Sequence, residues 1–226
     1  MLNNLMSESM KFLANRKLKN YRRYPANRTT LVLVDVQKEF FLPEETGWQS
    51  ISKVAETVNL KENMRLLIAF ARAQGMGIIY APYTANIKPI FETPAHQIMK
   101  GHIQVGGNIS KVVPTGLLER SILPTGKDTI IDDRTGLSAF SGSSLRQKLQ
   151  DKDVEHLVFA GPFINIGLDS SIRDAVEYGY HATLITDCAA ATSDIEYKMA
   201  KDVTFPRYCQ TLLSNKSFQA QVAKQS

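Results

Sequence analysis

The sequence predicts an α/β fold, a mainly parallel sheet with helices on both of its faces. Three observations point there. Short apolar runs rich in β-branched residues, too unbroken for strands with one wet face, alternate with segments of helical periodicity. No internal repeat and no linker rich in Pro, Gly or Ser divides the chain. Its 226 residues, 43% of them hydrophobic, suffice for one large domain with a core.

Taken in order, residues 1–28 form a basic arm or helix that packs on the domain or on a partner subunit, and the domain proper covers 29–226. The arm has no continuous apolar stretch and so does not read as a secretory signal. Residues 29–36 (TTLVLVDV) are the first buried strand, with Asp35 near its end. Residues 43–50 are expected to be loop. Residues 51–74 carry one long helical pattern (Val54, Val58, Met64, Leu67, Ile68, Ala71) that stops at Gly75, a natural C-cap. A second strand follows at 77–83. Residues 84–127, with four prolines, form an irregular insertion suited to a lid or a subunit contact.

Short strands are expected at 128–132 and 154–161, with a short helix at 144–150 between them. After the 154–161 strand, Gly161-Pro162 makes a stop. Helical spacing then resumes, with Ile172, Ala175 and Val176 on one side and Asp169, Arg173 and Glu177 on the other. A fifth strand at 181–187, a helix opening at 193–201 and an edge strand at 208–213 complete the pattern.

Composition narrows the function classes. The net charge of +5 is concentrated at Lys11, Arg16, Lys17, Lys19, Arg22, Arg23 and Arg28. Such an arm can meet nucleic acid, but no RNA- or DNA-binding module accompanies it, so a solvated arm is the expectation and no nucleic-acid partner is assigned. No apolar run is long enough to cross a bilayer, so no membrane partner is assigned either. Two cysteines, Cys188 and Cys209, make no disulfide framework and suit a reducing, cytoplasmic setting. The four histidines show no metal-ligand spacing, so no structural zinc is expected.

In open parallel sheets ligands bind beyond the carboxyl ends of the strands, where the strand order switches. That places Asp35, Tyr83, residues 132–134, residues 161–167 and Asp187 at the functional edge. Asp35 is either a turn cap or a carboxyl desolvated by Phe40 and Phe41, which raises its pKa toward the range useful for proton transfer. Arg134 is the candidate cation, to pair with Asp35 or to clamp a substrate carboxylate; the alternative is a surface arginine paired with Asp132 or Asp133. Asn165 is expected to cap the following helix. Residue 167, where such a turn often carries a nucleophile, is a glycine. Cys188 reads as small packing more readily than as a reactive thiol.

Four blocks together resemble the isochorismatase-like hydrolases of the cysteine-hydrolase superfamily: LVLVDVQKEFF with Asp35, Gln37 and Phe40; Arg134 with Ser138, Ala139 and Phe140; the turn and helix GPFINIGLDSSIRDAVEYGY; and TDCAAATS. They run in the family's order from residue 29 to about 215. The resemblance implies a three-layer α/β/α sandwich around a six-stranded, mainly parallel, Rossmann-like sheet. Most members of the family hydrolyse amides through an Asp, Lys and Cys triad. Here Asp35 matches the Asp, Arg134 stands at the Lys and Gly167 at the Cys, as in the isochorismatase branch that lacks the nucleophile. Phe163 stands where that branch has Tyr, Asn86 roughly where it has a substrate-binding Gln, and Pro162 at its cis-peptide region.

The resemblance therefore implies a hydrolase of a small, carboxylate-bearing substrate, with general acid catalysis by Asp35 and no nucleophile, metal or organic cofactor. Asp35, Arg134 and Gly167 are the catalytic set. Gln37, Phe40, Tyr83, Asn86, Phe140, Pro162, Phe163 and Asn165 are the candidate substrate contacts. A homodimer or larger homo-oligomer is implied as well. The rivals are a non-catalytic member that keeps the pocket for binding or assembly, and an amidase using Cys188 or Ser170.

Overall fold

The computed structural model describes residues 24–83, 91–102 and 122–223. Along the chain these form β1 (Thr29–Val34), α1 (Thr46–Thr57), α2 (Leu60–Ala73), β2 (Gly77–Ala81), α3 (Pro94–His102), β3 (Thr129–Ile130), α4 (Leu145–Gln150), β4 (His156–Gly161), α5 (Gly167–Glu177), β5 (His181–Ala189), α6 (Asp194–Met199), β6 (Thr211–Leu213) and α7 (Asn215–Ala223). The six strands lie in the order β3-β2-β1-β4-β5-β6, every neighbouring pair parallel. The strand order reverses between β1 and β4, so the crevice at their carboxyl ends is where a doubly wound sheet receives ligands.

Side-chain alternation along the central strands builds two cores. On β1, Leu31 and Leu33 join Met64, Leu67 and Ile68 of α2, Ile51 and Val54 of α1 and Phe218 of α7. Val32 and Val34 face the opposite way, onto Leu145 and Leu149 of α4 and Leu168 and Ile172 of α5. β1 is buried at every position, as its unbroken apolar run requires of a strand covered on both faces.

Several expectations need correction. The helical pattern over 51–74 is two helices, because Asn59 takes a left-handed backbone (φ 53°) between them. Asn tolerates that conformation better than other residues with a Cβ, so the apolar stripe continues across a break in the helix. The first helix starts at Thr46, inside the stretch expected as loop, and buries Trp48. Part of the insertion is helical, as α3, and residues 84–90 and 103–121 lie outside the described residues. The edge strand β6 is only Thr211–Leu213, because the Tyr208 and Cys209 N–H groups donate back to the Phe205 carbonyl and prolong the preceding turn. The closing helix α7 has no counterpart among the sequence expectations.

Residues 1–23 of the basic arm lie outside the described residues, but Tyr24 is 3% exposed and belongs to the core, so packing begins before Thr29. Its ring centroid lies 5.1 Å from that of Phe218 and 5.7 Å from that of His156, and its hydroxyl pairs with the Thr183 hydroxyl at 2.9 Å.

Candidate active site

The carboxyl ends of β1 and β4 are drawn together by a glycine. A Cβ on Gly161 would lie 2.1 Å from the carbonyl oxygen of Val34, so only glycine permits this approach. Just past β1, Asp35 adopts a left-handed backbone (φ 58°), and its N–H donates to the Ala81 carbonyl at 3.0 Å. A non-glycine residue in that region stores on the order of 1–3 kcal/mol of strain, a cost often found at functional sites.

Asp35 and Arg134 are fully enclosed, at 1% and 0% exposure. Arg134 Nη1 donates to Asp35 Oδ1 at 2.7 Å and to the Ala81 carbonyl at 2.8 Å. Arg134 Nε donates to the Gly136 carbonyl at 2.7 Å and Nη2 to the Leu137 carbonyl. The loop after Arg134 thus curls around its own guanidinium and gives it two carbonyl acceptors, and the end of β2 gives a third, besides the carboxylate. Burial raises the Asp35 carboxyl above the ordinary aspartate value, against the opposing pull of the Arg134 charge and hydrogen bond.

Gly167, the first residue of α5, lies under the other carboxylate oxygen. A Cβ there would come within 2.1 Å of Asp35 Oδ2 and 3.1 Å of Val34 Cγ1. Asp35, Arg134 and Gly167 are therefore brought into one cluster, from three segments far apart in the chain.

The candidate substrate contacts divide. Gln37 accepts a 2.6 Å hydrogen bond from the Tyr83 N–H through Oε1, so it ties the segment after β1 to the end of β2. Tyr83 is 3% exposed, with its ring centroid 5.7 Å from the guanidinium carbon of Arg134. Its hydroxyl is buried without a hydrogen-bond partner among the described residues, and burial above all pushes its pKa up to about 12. Phe40 and Phe163 meet edge to face with centroids 4.9 Å apart. Pro162 is buried beside Phe163, and among the described residues no peptide bond is cis.

Other candidates lie elsewhere. Phe140 packs between Tyr178 and Tyr180, beyond the far end of α5, with centroid distances of 5.4 and 6.2 Å. α5 has 11 residues, so its two ends are about 16 Å apart. Asn165 is exposed and does not cap α5; Ile166 holds the cap position without a side-chain hydrogen bond. Asn86 lies outside the described residues. Asp187 accepts from the Asn215 N–H at 2.7 Å and so serves the start of α7.

The seats proposed for an alternative nucleophile are chemically quiet. Cys188 is wholly buried and its thiol is pushed well above the usual range by that burial. The Ser170 hydroxyl donates back to the Ile166 carbonyl at 2.9 Å. One contributor escaped the sequence reading: Ser171 Oγ accepts from the Ala139 N–H at 2.8 Å and donates to the Gly167 carbonyl at 2.6 Å. It fastens the Arg134 loop to the start of α5. The sequence signal is a serine on the apolar side of a helix, four residues past the turn glycine.

A family model for the isochorismatase domain matches residues 29–216. The chain is 25% identical over 174 residues to YddQ, an uncharacterized isochorismatase family protein of Bacillus subtilis, covering 76% of this chain and 83% of that one. It is 23% identical over 176 residues to the ureidoacrylate amidohydrolase RutB of Variovorax paradoxus, covering 72% and 68%. Among solved structures, a cysteine hydrolase from Pseudomonas syringae pv. phaseolicola aligns with a TM-score of 0.68 at 18% identity, over 90% of this chain and 97% of that one. N-carbamoylsarcosine amidase from Thermoplasma acidophilum aligns with a TM-score of 0.61 at 20% identity, over 83% and 96%. At these identities the structural likenesses establish the fold.

Proposed function

The chain belongs to the isochorismatase family of hydrolases, and on that premise we propose that it cleaves a small, carboxylate-bearing enol ether without a covalent intermediate. The observation that carries this reading is the contact at Gly167. The position where the triad members of the family have their cysteine is filled by Asp35 Oδ2, 2.1 Å from where a Cβ would stand. What remains there is a desolvated carboxyl whose raised pKa suits an acid.

In the reaction, the Asp35 carboxyl gives its proton to the terminal carbon of the C=C bond. The carbon bearing the ether oxygen becomes an oxocarbenium centre. Water adds to that carbon and returns a proton to the Asp35 carboxylate. The resulting hemiketal breaks its bond to the former ether oxygen, which leaves protonated as an alcohol, and a keto acid remains. Arg134 is a positioning residue: its donors hold Asp35 Oδ1 and three carbonyls, which fixes the acid and steadies the carboxylate formed after proton transfer. The aromatic pair Phe40–Phe163 shares one buried apolar cluster with Tyr83.

The test is a turnover screen of isochorismate, nicotinamide and N-carbamoyl compounds with wild type and Asp35→Asn. An enol ether is consumed by wild type, and Asp35→Asn lowers kcat by about 10²–10⁴. Turnover that survives this change rules out Asp35 as the acid. A second reading, a binding module without catalysis, is favoured by one observation, the complete burial of both members of the Asp35–Arg134 pair. Such a pair also occurs as a structural element, and the same screen decides: ligand binding with no turnover by wild type selects it.

A further inference from the structure

Arg134 gives its donors to Asp35 and to the backbone, so it is poorly placed to hold the substrate. Another polar group stands beside this pair. The Tyr83 hydroxyl is enclosed in the core that contains Phe40, Phe163 and Ile166, and it makes no hydrogen bond among the described residues. Leaving a hydroxyl buried and unpaired costs about 1–3 kcal/mol, and such groups in folded proteins call for an explanation. A phenylalanine of the same shape would avoid that cost.

The phenol's setting restricts what it can meet. Gln37 pins the Tyr83 backbone at 2.6 Å, and the ring stacks toward Arg134 at 5.7 Å, so the side chain is held rather than free to reach solvent. The charges that act on it are those of Arg134, Asp35 and Glu92. Its proton stays on through the neutral range, so it is a donor in search of an acceptor.

Resting on the general-acid reading above, we propose that Tyr83 is a substrate-binding residue whose hydroxyl donates to an oxygen of the substrate's carboxylate. The acceptor comes with the ligand, and the unpaired phenol becomes satisfied only in the complex. This assigns charge recognition to a neutral donor rather than to the arginine, and it favours substrates whose carboxylate lies next to the protonated carbon-carbon double bond.

Tyr83→Phe tests this, because it removes only the oxygen. Pyruvate, a keto acid of the kind that hydrolysis would release, is titrated into wild type and Tyr83→Phe by calorimetry, and thermal unfolding is followed for both. The expected result is a Kd raised about 10- to 100-fold in the variant, with a Tm equal to or above that of wild type. An equal Kd in the two proteins, no saturable binding of pyruvate to wild type, or a Tm lowered by the change overturns the proposal, the last because it reveals a structural partner for the hydroxyl. The titration involves no proton transfer from Asp35. Retained isochorismate turnover by Asp35→Asn therefore counts against the acid alone, and an unchanged pyruvate Kd counts against Tyr83 alone.

Discussion

Replacing Gly167 by alanine adds one methyl group at the most crowded point of the site. The new Cβ would stand 2.1 Å from Asp35 Oδ2, 3.1 Å from Val34 Cγ1 and 3.2 Å from Asp35 Cγ. Ordinary non-bonded separations are about 3.5 Å, so the carboxylate must retreat by more than about 1 Å. Its Oδ1 is held by Arg134 at 2.7 Å, and a rotation of that size takes the bond toward the limit of hydrogen-bond geometry. Overpacking of this kind costs about 1–3 kcal/mol, and complete loss of a buried pair about 3–5 kcal/mol. Against that stands about 0.4–1 kcal/mol gained because alanine has less backbone freedom to lose on folding, since the backbone at Gly167 needs no positive φ. The expected net loss is about 2 kcal/mol, read as a lower urea midpoint at pH 7 with an unchanged m-value. A variant as stable as wild type, or more stable, would refute the claim that Asp35 occupies this space, and with it the reason given for the absent side chain.

Two further outcomes follow from the buried titratable groups. Burial and the neighbouring His156 lower His181 from 6.5 to about 4, so the folded protein keeps it neutral where the unfolded chain binds a proton. Stability is therefore fully present above pH 6.5 and falls between about pH 6.5 and 4, by at most about 3 kcal/mol for this residue; His181→Gln should flatten urea midpoints measured across that window, and an equally steep fall in the variant would assign the acid sensitivity elsewhere. Cys188 is fully buried and burial pushes Cys209 up to about 12, so neither thiol should react with a disulfide reagent at pH 8 until urea unfolds the chain. Prompt modification of the native protein would contradict the burial of the two thiols.

Much of the fold was legible because the central strands are uninterrupted apolar runs, and an apolar run alternating with a helical stripe leaves few arrangements open. The break at Asn59 was hidden because the apolar stripe is compatible with one helix or two, and only the left-handed backbone tells them apart. Asp35, Arg134 and Gly167 were legible as a group because each ends or follows a strand at one edge of the sheet. The roles within the group were less so. Carbonyls 136 and 137, which take up the Arg134 donors, belong to the backbone, and no side-chain pattern announces them. Phe140 shares its block with Arg134, yet alternate residues of a tight loop point to different surfaces, and it went to the tyrosines beyond α5.

Tyr24 enters the core beside His156 and His181, which open β4 and β5, whereas Asp35 stands past the other end of β1. With six residues in β1, the two places are separated by about 20 Å of rigid sheet. Tyr24 thus marks the end of the sheet opposite Asp35. A substitution at Tyr24 therefore acts first on the amino ends of β4 and β5, and reaches Asp35 only through the length of the sheet.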